Sequence, residues 1–269
     1  MGRLDNKIAF ITGAARGQGR SHAVRLAEEG AAIIAVDICA QIDSVPYEMG
    51  SADDLAVTVK EVEAVGGRIH AGHADVRDVA GLRAAFEAGV AALGPVDIVI
   101  ANAGIMTLSL DESATAWQDV IDVNLTGVFN TVEIALPSMV ARGAGGSVVI
   151  TSSAAGLLGI GGPSQGGLGY TAAKHGLVGL MRSYANSYAK HSIRVNTVHP
   201  TGVSTPMVDN DNMKAVFDAD PTVFTDNALP VRRVESIDVS NAITWLVSDE
   251  GRYVTGVTLP VDAGFANKK

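Results

Sequence analysis

Thr12-Gly13-Ala14-Ala15-Arg16-Gly17-Gln18-Gly19 is the stretch that decides how the chain folds. Before it, residues 7–12 (Lys-Ile-Ala-Phe-Ile-Thr) form a short apolar run of the kind found in a buried parallel strand. After it, a helical pattern runs to about Gly30. Glycines between a strand and a helix let the backbone approach a pyrophosphate, and the helix N-terminus offers unpaired N–H groups and positive potential. The spacing is G-x-x-x-G-x-G, not the G-x-G-x-x-G of the common dinucleotide fingerprint. A plain glycine turn is the competing reading, and the flanking strand and helix favour the dinucleotide one. Gly13, Arg16, Gly17, Gln18 and Gly19 are therefore candidate cofactor contacts.

Working outward, the apolar run from Ala31 ends at Asp37, 18 residues beyond Gly19. That is close to the ~20 expected for an acid that bonds the ribose hydroxyls. A carboxylate there repels the 2′-phosphate of NADP. Arg16 could favour a phosphate, but only Ile38 and Cys39 follow Asp37, so NAD is preferred. Residues 39–51 lack periodicity and carry turn residues, so they read as an extra loop. It is either a cover for the adenosine half of the cofactor or a surface excursion.

Beyond the loop, strands and helices alternate. A helix at about 52–65 precedes a strand over 68–76 that ends in Asp75-Val76. His70 and His73, three apart on that strand, face opposite sides with no third ligand nearby, and no metal site is expected. A helix over 79–93 stops at Gly94-Pro95, and a strand over 96–100 ends at Asn102-Ala103-Gly104. One long helix spans 117–142, with Asn124 inside it and Pro137 expected to kink it. A strand over 147–151 ends at Ser152-Ser153, and a glycine-rich crossing over 156–169, expected to be mobile, leads to a helix over 171–190. A strand over 193–198 runs into His199-Pro200, followed by a polar irregular segment over 203–230. A helix at 237–248 and a strand at 258–261 close the chain. The alternation predicts an α/β fold: a Rossmann-type doubly wound parallel sheet of about seven strands with helices on both faces, in a single domain over 1–269.

Composition narrows the partners. At 269 residues, 47% hydrophobic and 18% charged, the chain can bury one sizeable core. A net charge of −9 without a basic cluster argues against nucleic acid. One cysteine, Cys39, rules out an internal disulfide framework and fits a reducing compartment. No apolar signal core and no membrane-length apolar run are present, so no membrane partner and a cytoplasmic location are expected.

Tyr170 and Lys174 are four apart, on one helix face and within reach of a common ligand. A free phenol has a pKa of about 10, so acid–base work near neutrality needs help, and a cation one turn away supplies the right sign. Alone, a tyrosine and lysine at this spacing are ordinary helix-surface residues.

Taken together these motifs resemble the short-chain dehydrogenase/reductase family over nearly the whole chain. The matching residues are Thr12-Gly13 to Gly19, Asp37, Asp75-Val76, Asn102-Ala103-Gly104, Asn124, Ser153, Tyr170 with Lys174, and Pro200 to Thr205. The extra loop, with Cys39-Ala40-Gln41-Ile42 and Pro46-Tyr47, resembles the mycofactocin-coupled, carveol-dehydrogenase-like branch. The resemblance implies an NAD-dependent oxidoreductase interconverting a secondary alcohol and a ketone, with a carveol-like terpene alcohol as the substrate type, whose cofactor is retained and recharged by a mycofactocin-like redox partner. It implies Tyr170 as acid–base, Lys174 lowering its pKa and bonding the nicotinamide ribose, Ser153 bonding the substrate oxygen, and Asn124 holding a water in a proton relay. Asp75 and Val76 would hold the adenine, Asn102 to Gly104 would line the cofactor, and Pro200, Gly202, Val203 and Thr205 would meet the nicotinamide end. It also implies a homotetramer built partly on two broadly apolar helices, one carrying Val128, Phe129, Val132, Ile134, Leu136 and Met139, the other Leu177, Leu180 and Met181.

Two departures stand out: Ser153 and Tyr170 are 17 apart, a longer gap than is usual in the family, and the segment after Thr205 is short for the carveol branch. A non-catalytic nicotinamide-sensing protein and an epimerase or dehydratase are the rival readings. The first would be expected to lose the serine, tyrosine and lysine. The second usually carries a larger C-terminal domain than the ~70 residues here.

Overall fold

In the computed structural model, which describes residues 2–220 and 227–268, strand β1 (Ile8–Thr12) is buried at every position. It pairs in parallel with β2 (Ala32–Asp37) on one side and β4 (Ile98–Ala101) on the other. With β3 (Ile69–His73), β5 (Gly146–Thr151), β6 (Ile193–Pro200) and β7 (Thr258–Val261), the sheet runs β3-β2-β1-β4-β5-β6-β7, parallel throughout. The order reverses between β1 and β4, and the crevice at the carboxyl ends there is where such sheets bind ligands.

Helices cover both faces, as right-handed parallel crossovers require. α1 (Gly17–Glu28), α2 (Ala52–Ala64) and α8 (Ser236–Val247) pack on the face carrying Ile11, Ile33 and Ile100. α3 (Val79–Leu93), α4 (Ala116–Ile121), α5 (Gly127–Arg142) and α6 (Gln165–Tyr188) pack on the face carrying Phe10, Ile34 and Val99. Strands buried on both sides explain why β1, β2 and β4 read as continuous apolar runs instead of alternating.

The structure departs from the sequence reading in five places. The strand expected over 68–76 stops at His73, so Asp75 and Val76 lie in the turn beyond it. The long helix is interrupted by a π-helical turn, Asp122–Thr126, between α4 and α5, while Pro137 sits inside α5. The glycine crossing is shorter than expected, because α6 already begins at Gln165 with Ser164 as its N-cap. Gly166, Gly167 and Gly169 are thus helical, and Gly169 lets α6 approach Trp117 closely. The segment over 203–230 is not irregular throughout, since it contains α7 (Asp211–Ala219), capped by Asn210. Residues 221–226 of that expected substrate cover lie outside the described residues. Finally, Val128, Val132, Ile134, Leu136, Met139, Leu177 and Met181 are buried within this chain, leaving Phe129 as the exposed member of the set.

Candidate active site

Two cavities meet back to back at the carboxyl end of the sheet, sharing Gln18, Thr205 and Met207. The first is built around the β1–α1 turn. Gly13 has φ +70° and Gly17 φ +55°, and a Cβ at Gly19 would lie 1.9 Å from the Gly13 carbonyl oxygen. A side chain at any of the three would strain or break the turn. Asn102 braces it from β4, its Nδ2 donating to the carbonyls of Thr12 (3.1 Å) and Gly13 (3.2 Å). α2, α3, α6 and α7 each have a side-chain cap, but α1 has none at its N-terminus. Its first-turn N–H groups, beside the glycines, form a ready anion cradle. Gln18 Oε1 is buried without a hydrogen-bond partner among the described residues. Glycine cradle, uncapped helix and orphan oxygen together fit a dinucleotide.

Asp37 lines this cleft from the end of β2, its Oδ2 accepting from the Ala15 N–H (2.9 Å) and its Oδ1 from the Cys39 N–H (3.0 Å). Asp75 and Val76 line it too, but the Asp75 carboxylate is gripped by the Arg77 guanidinium at 2.7–3.1 Å. What Asp75 offers an adenine is therefore its backbone and position, not a free carboxylate. Asn102, Ala103 and Gly104 form the opposite wall. Thr205 lies in both cavities, whereas Pro200, Gly202 and Val203 line the second cavity and not the first.

The loop over 39–51 closes part of the first cleft. Ile42 and Val45 are buried in the core, and Tyr47, Met49 and Gly50 line the cavity. Its scaffold is Gln41, whose side-chain amide donates to the carbonyls of Ile42, Val45 and Tyr47 and accepts from the Met49 N–H. Arg16 donates to the Glu48 carbonyl, so this arginine ties the loop to the glycine turn. Tyr47 reaches the far wall, where its hydroxyl accepts the Met106 N–H at 3.2 Å. The surface-excursion reading does not fit these contacts.

The second cavity has largely apolar walls, including Met106, Leu108, Ile160, Phe217 and Phe265, and polar groups at Ser153, Tyr170, Asn227, Arg232 and Arg233. Ser152 and Ser153 point different ways. Ser152 donates to the Lys174 carbonyl (2.9 Å) and anchors α6, while Ser153 lines the cavity beside Tyr170 and acts to lower the tyrosine's pKa. The long 17-residue gap between serine and tyrosine is taken up by the 157–164 crossing, which Thr171 pins by donating to the Ile160 carbonyl.

Burial raises the Tyr170 pKa, opposed by the Ser153 hydrogen bond. Lys174 Nζ is 5.5 Å from the Tyr170 ring centroid and donates to the Thr151 carbonyl at 2.8 Å. Burial pulls its pKa down to about 8. A dry site penalises the charged forms of both groups, so burial is the first influence on each in the protein alone. Lys174 lines neither cavity but sits directly behind Gly104. Asn124, fully buried in the π-helical turn, has both amide atoms on the Ile105 backbone at 2.8 Å. Its side chain therefore shapes the 104–106 wall. A π-turn is a common way to re-aim one side chain at a functional site.

Some cavity residues escaped the sequence reading. Tyr47 was visible only as a loop residue, and Met106, Leu108, Asn227 and Phe265 carry no motif at all. His199, near the end of β6, lines neither cavity but is buried, a titratable residue placed in a central strand.

The model of the short chain dehydrogenase family matches residues 7–215. The chain is 58% identical over 269 residues to an uncharacterized oxidoreductase of Mycobacterium tuberculosis, spanning 99% of this chain and 98% of that one. It is 50% identical over 277 residues to the (−)-trans-carveol dehydrogenase of Rhodococcus erythropolis, spanning 98% and 99%. A crystal structure of a carveol dehydrogenase from Mycobacterium avium in complex with NAD superposes with a TM-score of 0.93 at 48% identity, covering all of both chains.

Proposed function

The chain belongs to the short-chain dehydrogenase family, and on that premise we propose that it interconverts a cyclic secondary alcohol and its ketone with NAD. The reading rests on one juxtaposition: the Ser153–Tyr170 pair faces an apolar cavity that opens, at Gln18 and Thr205, onto the glycine-built cleft. NAD, held by the 13–19 turn, the Asp37 carboxylate and the 102–104 wall, supplies the hydride acceptor. Asp37 at the ribose position favours NAD over its 2′-phosphorylated form by charge repulsion. In alcohol oxidation Tyr170 takes the hydroxyl proton, and Ser153 donates a hydrogen bond where negative charge develops on oxygen. Lys174, buried behind Gly104, contributes positive potential at the same point when protonated.

The cavity, about 250 Å³ with apolar walls, suits a compact hydrophobic substrate of single-ring size such as a carveol-like terpene alcohol. The loop over 39–51 supports a cofactor that leaves slowly, because it is stapled at Arg16 and at Met106 on opposite sides of the cleft. The protein should then purify with NAD or NADH attached and need a separate redox partner, of mycofactocin type, for repeated turnover. Mass spectrometry of the denatured protein after extensive dialysis checks this. A cofactor-free preparation that rapidly reduces free NAD would support an ordinary exchanging enzyme instead.

Because burial raises the Tyr170 pKa, the phenol is protonated at neutrality, ready as an acid for ketone reduction and unready as a base for alcohol oxidation. Oxidation should therefore accelerate as pH rises above neutral, and reduction should slow. A pH-rate profile that falls for oxidation over that range would exclude Tyr170 as the base. Trp117, Phe129 and Leu168, 41%, 43% and 51% exposed on the α4–α6 layer, support assembly through that layer, in keeping with a homotetramer. Light scattering at micromolar concentration should give a mass above that of the monomer, and a monomeric mass would sink this part.

A further inference from the structure

His199 is a buried imidazole that none of the roles above employs. It stands one residue before the end of β6, with no exposed surface and both ring nitrogens engaged. Nδ1 lies 2.8 Å from the Ser153 carbonyl oxygen. A carbonyl only accepts, so Nδ1 carries the hydrogen. Nε2, 2.8 Å from Thr197 Oγ1, then accepts from that hydroxyl. Thr197 and His199, two apart on a strand, share a face, which is what this arrangement needs. Burial first, then Lys174 and His175 of α6, hold the His199 pKa down at about 4 against the opposing Ser153 hydrogen bond and Asp262 after β7. The ring is neutral at ordinary pH.

What the imidazole holds is the carbonyl of the second residue beyond β5. The β5–β6 ladder ends with the Ser152 N–H donating to the Val198 carbonyl at 2.9 Å. The Ser153 carbonyl accepts the Gly156 N–H at 2.8 Å, but that bond closes only its own turn. Among the described residues, His199 is the partner that ties this carbonyl back to the sheet. Ser153 is also the residue whose hydroxyl accepts the Ala155 N–H and bonds Tyr170. One ring therefore links the rigid end of β6 to the backbone of the serine facing the substrate.

We propose that His199 is a positioning residue for the reaction: its Nδ1–H, the tautomer that the Ser153 carbonyl requires, clamps the Ser153 backbone so that the serine hydroxyl stays beside Tyr170. The proposal rests on the functional reading above. Misplacing a reacting or supporting group by ~1 Å can cost up to about 100-fold in rate, so the clamp has a measurable consequence.

Three variants separate the clamp from mere packing. His199→Phe keeps a ring and loses the donor, His199→Asn keeps an N–H near the Nδ1 position, and His199→Gln moves it toward Nε2. The full chain with its bound cofactor is mixed with (−)-trans-carveol, and cofactor reduction is followed by absorbance. The Phe and Gln variants should react about tenfold or more slowly, with the half-saturating carveol concentration little changed. Asn should recover most of the rate. The pH midpoint for oxidation should move upward in the Phe and Gln variants, because a displaced Ser153 no longer favours the phenolate. In a Ser153→Ala background, His199→Phe should cost nothing further. An Asn variant as slow as Phe, an unmoved midpoint, or multiplying losses in the Ser153→Ala background would each overturn the proposal.

A second readout needs no substrate. Ring-nitrogen NMR of isotope-labelled histidine, with His199 assigned by its loss in the Asn variant, should show the neutral Nδ1–H tautomer from about pH 5 to about pH 9. An Nε2–H tautomer, or titration near the free value of about 6.5, overturns the clamp whatever the kinetics give. If the parent chain reduces its cofactor with no alcohol, the functional reading fails separately and the tautomer alone decides the clamp.

Discussion

The two cavities that meet at Gln18 and Thr205 are built in opposite ways. The cofactor cleft is made largely of backbone: three glycines that tolerate no side chain, an uncapped helix start, and an asparagine bracing carbonyls across the sheet. The substrate cavity is made largely of side chains brought from widely separated stretches of chain, from Met106 and Leu108 to Phe265. A backbone-built site constrains residue identity position by position. A side-chain-built site requires only apolar bulk of the right volume.

The sharpest way to break that contrast is at the boundary, where one side chain does the chemistry. Tyr170→Phe should lower turnover by at least ~10²-fold, the low end for a general acid–base, while cofactor content stays that of the parent. Near-normal turnover in this variant would remove Tyr170 from its role.

Next come two substitutions of matched size on opposite sides. Gly19→Ala forces a methyl group onto the Gly13 carbonyl oxygen and should cost about 1–3 kcal/mol of stability, as overpacking does. Thermal denaturation should show a lower midpoint, and the purified protein should carry less cofactor. Leu108→Ala removes bulk from a wall of the substrate cavity. It should leave cofactor content unchanged and alter the preference between alcohols differing by a methylene by roughly 10–200-fold at most. If Leu108→Ala lost cofactor, or Gly19→Ala kept it in full, the two sites would not be separable in this way.

The smallest effect concerns the loop. Tyr47→Phe removes the acceptor of the Met106 N–H and little else. A net hydrogen bond contributes about 0.5–1.5 kcal/mol, so cofactor release should quicken by no more than about tenfold. Such changes appear mainly in the off-rate. Unchanged release would mean that Arg16 and the buried Ile42 and Val45 hold the loop without Tyr47.

The same contrast explains what the sequence made legible. Alternating apolar runs and glycine breaks gave the seven-stranded parallel sheet, because strands buried on both faces leave little choice of residue. Gly13, Gly17, Gly19, Asp37 and Asn102 were legible for the reason that the cleft is built from backbone. The substrate cavity was not, since Met106, Leu108 and Phe265 share no period and no spacing. Nor was the π-turn at Asp122–Thr126, because one extra residue in a helix leaves no compositional trace. Of the two adjacent serines, Ser152 is committed to the Lys174 carbonyl, a distinction that sequence position does not carry. Spacing placed Lys174 near Tyr170, whereas the burial that shifts both groups has no signature in spacing.

The most direct measurement is to mix the protein as purified, cofactor attached, with a series of cyclic secondary alcohols and record absorbance near 340 nm, where reduced nicotinamide absorbs. The cavity and the Ser153–Tyr170 pair predict a rise approaching one reduced cofactor per chain with at least one hydrophobic single-ring alcohol, and a far slower rise in Tyr170→Phe. A preparation that holds NAD in the cleft and shows no rise with any alcohol in the series, at neutral or alkaline pH, would contradict the assignment of this site as an alcohol dehydrogenase.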